Sequence, residues 1–198
     1  MTALDNTARN RNRQMLLALA AIFFGGMLVA GLLRFSGWKP AGTRNHGEML
    51  EPMGDLRTLV PRLADGSEYH WNPVERKWRV LVAPPARCAA ACVKLADELD
   101  LVWQLFGKDA DHVDILWLGA PPHGARSNAA TRILRDDAAL RAQLPRVDGG
   151  PGEVVTGDGE PGVPVYIIDP NGFVILRYPP GFDPGGLRAD MAKLLKLL

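Results

Sequence analysis

Hydrophobic positions along the chain fall into three regimes. The first is one unbroken run, Met15 to Leu33, of 19 residues without a charge, bounded by Arg13-Gln14 and Arg34. About 20 apolar residues span the hydrocarbon core of a bilayer as a helix, so this run predicts a transmembrane segment. The second, from Phe35 to about Arg57, is rich in Gly, Pro and charge and shows no sustained period, which predicts a linking arm. The third carries short alternations of strand and helix patterns to the end of the chain.

Within that third regime Thr58 to Leu63 and Glu68 to Trp71 flank Ala64-Asp65-Gly66-Ser67, the pattern of a hairpin turn. Lys77 to Ala83 reads as a buried strand ending at Pro84-Pro85. A helix follows to about Phe106, with Val93, Leu95, Ala96, Leu99, Val102, Trp103 and Phe106 on one broad face. Val113 to Leu118 is a second buried strand. Ala129 to Leu144 reads as a helix with Asn128 as its cap, Ile133, Leu134, Leu140 and Leu144 inward, and Pro145 after its end. Pro145 to Gly162 is a loop. Val163 to Asp169 and Phe173 to Tyr178 are strands joined by Pro170-Asn171-Gly172, a strong hairpin signal, and Pro184 to Leu198 closes the chain as a helix. The order, β-hairpin, β, α, β, α, β, β, α, predicts an α/β domain with a central mixed sheet flanked by helices. The expected organisation is a tail over 1–14, an anchor over 15–33, an arm over 34–57 and one domain over 58–198.

Charge changes the picture in two ways. With 23 basic and 22 acidic residues the net charge is +1, which offers no large electrostatic footprint for nucleic acid. Arg9, Arg11 and Arg13 stand just before the apolar run, and the positive-inside bias therefore places the N-terminus in the cytoplasm. The run exceeds the roughly 7–15 residues of a signal-peptide core, and no small-residue cleavage site follows it. An uncleaved single-pass anchor is expected, with the domain outside, in the periplasm if the host is a Gram-negative bacterium. Thiols in such a compartment are oxidised, metal-bound or actively kept reduced.

The candidate chemistry is the pair Cys88 and Cys92, the two cysteines of the protein, placed where a strand, a Pro-Pro turn and a helix N-terminus meet. A helix N-terminus favours thiolate, which makes Cys88 the better nucleophile or ligand. If both residues are helical, their Cβ atoms lie roughly 5–6 Å apart. An ordinary disulfide wants about 3.5–4.5 Å. Bridging then requires Cys88 at the cap or a loosened first turn, whereas two thiolates hold a soft metal without such closure, and the spacing leans toward metal. The bland alternative is two small residues packing the start of a buried helix. His123, after the strand Val113 to Leu118, is the in-domain histidine on the same sheet edge and the candidate third ligand. His112 belongs to the opposite edge. His46, Met49 and Met53 in the arm are candidates to fold over a soft metal, His70 is a strand surface residue, and Trp103 and Trp117 are core. Glu153, Asp158 and Glu160 read as solvated loop acids. No Ser/His/Asp set, phosphate-cradling glycine loop or zinc-ligand quartet offers competing chemistry.

Gly162-Val163-Pro164-Val165-Tyr166-Ile167-Ile168, followed by Asn171-Gly172 and a strand, resembles the thioredoxin segment in which a cis-proline precedes a core strand. Trp78 to Leu198 matches that layout throughout. The Cys88-x-x-x-Cys92 spacing, the anchor and the Asp169-Pro170-Asn171-Gly172 hairpin are similar to the Sco/SenC family, membrane-anchored thioredoxin-fold proteins implicated in placing copper in cytochrome c oxidase. Small proteobacterial membrane proteins associated with that oxidase have the same look. The resemblance implies Cu(I) at Cys88 and Cys92, a site proline at Pro164 and oxidase assembly partners. Val93 stands where Sco proteins carry proline, and no histidine lies between Gly124 and Leu198, so their three-ligand copper site does not carry over. Three functions follow as expectations: oxidase biogenesis by Cu(I) binding or thiol reduction, thiol-disulfide exchange with Cys88 attacking and Cys92 resolving, and a non-catalytic membrane scaffold.

Overall fold

The structure, a computed structural model, describes residues 3–36, 45–148 and 162–197. The chain divides into two compact units, one to Thr43 and one from Arg44. The first contains a single helix, α1 (Ala3–Phe35). Its 33 residues give it a length of about 50 Å at 1.5 Å per residue. The segment Arg9–Phe35 is long and apolar enough to cross a membrane. Its large apolar side chains, Leu16, Ile22, Phe23 and Met27 among them, are exposed, as expected of a surface made for lipid.

The second unit is built on a six-stranded sheet of order β1-β6-β5-β2-β3-β4. Its strands are β1 (Glu48–Asp55), β2 (Trp78–Val82), β3 (Val113–Leu118), β4 (Thr131–Leu134), β5 (Val165–Ile168) and β6 (Phe173–Tyr178). β2, β3 and β4 run parallel, while β5, β6 and β1 add antiparallel neighbours on the other side of β2. The helices are α2 (Ala90–Gln104), α3 (Ala138–Ala142) and α4 (Pro184–Leu194).

Alternation along β2 explains how the sheet is covered. Val80 and Val82 join Ile115, Trp117, Val165 and Ile167 in one core, closed by Cys92, Leu95 and Leu99 of α2 and Leu187 and Met191 of α4. Leu81 and Ala83 point the other way, into a core with Leu116, Leu118, Tyr166 and Ile168, closed by Leu140 and Leu144. A strand buried on both faces reads as a continuous apolar run, which is why β2 and β3 were plain in the sequence.

Three sequence expectations are corrected. Part of the arm over 34–57 is an edge strand: β1 pairs with β6, Glu48 opposite Arg177 and Met49 opposite Leu176, then Gly54 opposite Val174. The four residues of β1 between Met49 and Gly54 thus oppose the single residue Ile175 of β6, and this bulge holds Glu51–Pro52, a cis peptide. A strand interrupted in this way keeps no period of two. The expected N-terminal hairpin is only a turn with a single bridge, Arg62 to Glu68. Its centre is as expected, with Gly66 at φ +93° and Asp65 accepting from Ser67 N at 2.9 Å, but His70 and Trp71 lie outside any strand. Finally, Ala129 to Leu144 is not one helix. Thr131–Leu134 pairs with β3 as β4, and only Ala138–Ala142 is helical, capped by Asp137, whose carboxylate accepts from Ala139 N. Asn128 makes a turn instead, its side chain accepting from Ala130 N at 2.9 Å. Leu134, Leu140 and Leu144 still reach one core, so their spacing looked helical without being so. The acidic residues Glu153, Asp158 and Glu160 lie outside the described residues.

Candidate functional site

β2 delivers the chain to the cysteines. Its ladder to β5 ends where Ala83 N donates to Pro164 O at 3.3 Å, and the consecutive prolines Pro84 and Pro85 have no N–H with which to extend it. The chain turns through Ala86 and Arg87, reaches Cys88, and enters α2 at Ala90 after an N-cap, Ala89, that has no side-chain capping bond. Cys88 therefore precedes the helix while Cys92 lies in its first turn. The two are joined by a disulfide, with S–S 2.05 Å and Cα–Cα 5.6 Å. The lean toward metal assumed both residues on one helix; with Cys88 outside it, the geometric obstacle to bridging disappears. Cys92 is fully buried in the α2–α4 core, whereas Cys88 is half-buried and packs against the same cluster. One residue of the pair is thus partly open to solvent and the other is not.

Pro164 is buried immediately before β5, and its carbonyl is fixed to the end of β2. Its neighbour Val163 belongs to the cluster that holds Cys92. The cis-proline that the resemblance implies for this segment is not found: among the described residues the cis bond is Glu51–Pro52, and the bond into Pro164 is trans. Beside this segment a groove of about 160 Å3 runs between α2 and the loops at Gly162-Val163 and Gly181-Phe182. Ala91, Leu95, Val163 and Phe182 give it an apolar floor, and Lys94 and Glu98 stand at its rim.

The histidines fall elsewhere. His123 is exposed on the turn after β3, closed by Ala125 N donating to Pro122 O at 3.1 Å, and Ala125 packs against the core cluster of Cys92. Among the described residues no group of three or more His, Cys, Asp or Glu is arranged to hold a metal ion, so His123 joins no such group with the two sulfurs. His70 is exposed, with Nε2 3.3 Å from Glu68 Oε2.

His46 is held against α4. Its backbone N–H donates to Asp190 Oδ2 at 2.6 Å, its Nδ1 lies 3.3 Å from Oδ1, and its ring packs on Gly186 of α4. Asp190 is buried and also accepts from Gly47 N, Tyr178 Oη and Lys193 Nζ, at 3.0, 2.9 and 2.9 Å. Burial pushes its pKa up, but the Gly47 N–H, Lys193, His46 and Tyr178 together outweigh that and hold it well below the usual carboxylate range. Burial, reinforced by Asp190, pushes the Tyr178 hydroxyl well up. Little in the local sequence marks Asp190: it is one acid in a short helix, and apart from Lys193, three residues on, its partners lie 12 to 144 residues away in the chain.

The far end of the sheet carries a second buried polar group. Arg79 Nε donates to Tyr69 Oη at 3.0 Å, Tyr69 Oη donates to Asp114 Oδ2 at 2.8 Å, and Lys77 Nζ reaches Asp114 Oδ1 at 3.2 Å. It sits at the starts of β2 and β3, remote from the disulfide along the strands, and supports the fold.

Among solved structures the domain is similar to Xanthomonas campestris peroxiredoxin Q, at 17% identity over 76% of this chain and 96% of that one, TM-score 0.46. It is similar to Bradyrhizobium japonicum ScoI with copper bound, at 18% identity over 68% and 96%, TM-score 0.45. It is also similar to BsSco, described as carrying a disulfide switch within the Sco family of cytochrome c oxidase assembly proteins, at 12% identity over 71% and 92%, TM-score 0.48. A comparison with curated proteins finds no match. The family model "Transmembrane-like, thioredoxin-like, C-terminal domain" matches residues 78–198, from the first strand of the parallel set to the end of the chain. The chain therefore belongs to the transmembrane-like, thioredoxin-like C-terminal-domain family, and its sheet, flanking helices and cysteine-bearing α2 are the thioredoxin-like fold.

Proposed function

We propose that the protein is a membrane-tethered thiol-disulfide exchange protein whose working couple is Cys88–Cys92. The observation that carries this reading is the asymmetry of the bonded pair, with a half-buried Cys88 ahead of the helix and a fully buried Cys92 within it. In the reducing direction, the Cys88 thiolate attacks a partner disulfide and forms a mixed disulfide, releasing one partner thiolate that takes up a proton. The Cys92 thiolate then attacks Cys88 Sγ, re-forming the intramolecular bond and releasing the second partner thiol. Two electrons and two protons pass to the partner. The reverse sequence oxidises a partner dithiol, beginning with attack of a partner thiolate on Cys88 Sγ, the sulfur of the less buried residue. The apolar groove beside Val163-Pro164 lies where a partner segment would rest. The arginines before α1 support an orientation with the domain outside the cytoplasm, in the periplasm of a bacterial inner membrane.

The test uses the full chain in detergent. Cys92→Ser is expected to accumulate mixed disulfides through Cys88, whereas Cys88→Ser is expected to trap none. Equal trapping by both variants, or none by either, refutes the assignment.

A second reading, assistance to cytochrome c oxidase assembly by Cu(I) binding, is favoured by the 5.6 Å Cα separation, which leaves two soft ligands together once the bond is reduced. Cu(I) titration of reduced protein against the Cys88→Ser, Cys92→Ser double mutant tests it, and weakened binding in His123→Ala would identify the third ligand. A reduced protein no better than the double mutant removes this reading and leaves the exchange function, or a tethered scaffold if trapping also fails.

A further inference from the structure

The segment that presents Cys88 is held by little. Among the described residues its main-chain bonds stop at Ala83 N to Pro164 O on one side and resume at Val93 N to Ala89 O on the other. Between them the backbone contains Pro84 and Pro85, which cannot donate. One side chain reaches it: Arg141 Nη2 donates to the carbonyl of buried Pro84 at 2.8 Å. Arg141 comes from α3, which follows β4, whereas Pro84 follows β2, and β3 lies between those strands. The guanidinium therefore crosses the end of β3 to reach the cysteine loop. It is aimed there by Asp136, whose Oδ1 accepts from Arg141 Nε at 2.6 Å, and by the seating of α3, where Leu140 is buried in the core. Its side chain is only 22% exposed, so the bond to Pro84 is largely shielded from water.

We propose that Arg141 is the positioning residue of the Cys88–Cys92 couple, holding the Pro84 turn so that Cys88 stays over the mouth of α2. The proposal rests on the reading of this pair as a working couple. The oxidised form needs the turn fixed, because the two sulfurs must lie within one bond of each other. The dithiol has no such requirement and tolerates a looser loop. An anchor that is made more fully in the oxidised form lowers the tendency of the disulfide to be reduced, and removing it makes reduction easier. Losing one charge-assisted hydrogen bond to a buried carbonyl corresponds to about a tenfold change in an equilibrium constant, or about 30 mV for a two-electron couple.

The experiment equilibrates the full chain in detergent with dithiothreitol and its oxidised form, for the wild type, Arg141→Leu, Arg141→Lys and Asp136→Asn. Arg141→Leu is expected to shift the equilibrium about tenfold toward the dithiol, and Arg141→Lys, which keeps one long cationic donor, by less. A change under threefold in Arg141→Leu, or a change toward the disulfide, overturns the proposal even if the variant melts at a lower temperature, because a purely structural role moves stability and leaves the couple alone. If Arg141→Leu does not fold, Asp136→Asn decides at a threshold of twofold. The equilibrium is defined for any disulfide, so failure of the mixed-disulfide trap above would remove the proposed function without touching this result.

Discussion

Replacing Asp190 is the sharpest probe of how the second unit is held together. The carboxylate accepts from four donors and faces one ring nitrogen. Oδ2 takes His46 N, Gly47 N and Tyr178 Oη, while Oδ1 takes Lys193 Nζ and faces His46 Nδ1. Asp190→Ala removes every acceptor and leaves the Gly47 N–H and the Tyr178 hydroxyl, both in buried bonds, without partners. At about 1–3 kcal/mol for each stranded donor, plus the lost ionic bonds, the cost is about 3–5 kcal/mol. Asp190→Asn keeps an oxygen at the Oδ2 position for the three crowded donors and misplaces only its amide group, which faces Lys193. That side chain is half-exposed and can swing into water, so the cost is about 1–2 kcal/mol. Near-ultraviolet circular dichroism of the full chain in detergent reads the difference as a melting midpoint. A loss of about 3 kcal/mol lowers it by about 6–12 °C in a domain of this size. The pH dependence adds a sign. Because the native pKa is depressed, the ionised form is favoured by folding, and the contribution is complete above the ordinary carboxylate value of about 4 and lost as the pH falls through the lower native one. The advantage of wild type over Asp190→Ala should thus persist from neutral pH to about 4 and shrink below. An Ala variant that melts within about 2 °C of wild type, or one no worse than Asn, refutes the reasoning.

Two further outcomes are expected. At Gly186 an added Cβ would stand 2.8 Å from His46 Cβ and 2.9 Å from Cγ, so Gly186→Ala should push His46 off α4 at a cost of about 1–3 kcal/mol. Combined with Asp190→Ala it should cost less than the sum, since both release the same segment, and strictly additive melts would contradict this. Burial raises the Tyr69 and Tyr178 hydroxyls well above the ordinary value of about 10, with Asp190 adding to the effect at Tyr178. Their neutral forms are favoured in the fold, so the stability they contribute is intact below about pH 10 and declines above it as the unfolded chain alone ionises. Titrating the unfolding midpoint from pH 8 to 12 checks this, and a Tyr69→Phe variant with an identical alkaline decline would show that Tyr69 takes no part.

The chain's own pattern determined whatever depends on neighbours in sequence. A 19-residue uncharged run has the length and composition of a membrane-crossing helix, and the two-face burial of Val80-Leu81-Val82 and of Val113 to Leu118 makes each legible as a central strand. The Asn171-Gly172 turn, with Gly172 at φ +101°, and the placement of both cysteines where a strand feeds a helix belong to the same class. Tertiary structure alone decided what depends on distant partners. Thr131–Leu134 became a strand because β3 offered a parallel edge, overriding a spacing of leucines that suited a helix. The segment from Glu48 became a strand because β6 was free to pair, in a register broken by a bulge that erased its period. The disulfide rather than a helical thiolate pair follows from where α2 starts, a boundary two residues past Cys88 that local propensity does not locate. The bonds from Asp190 to the His46-Gly47 segment and from Arg141 to Pro84 are brought together only by the closed sheet, and hydrogen bonds across such separations leave no trace in the order of residues.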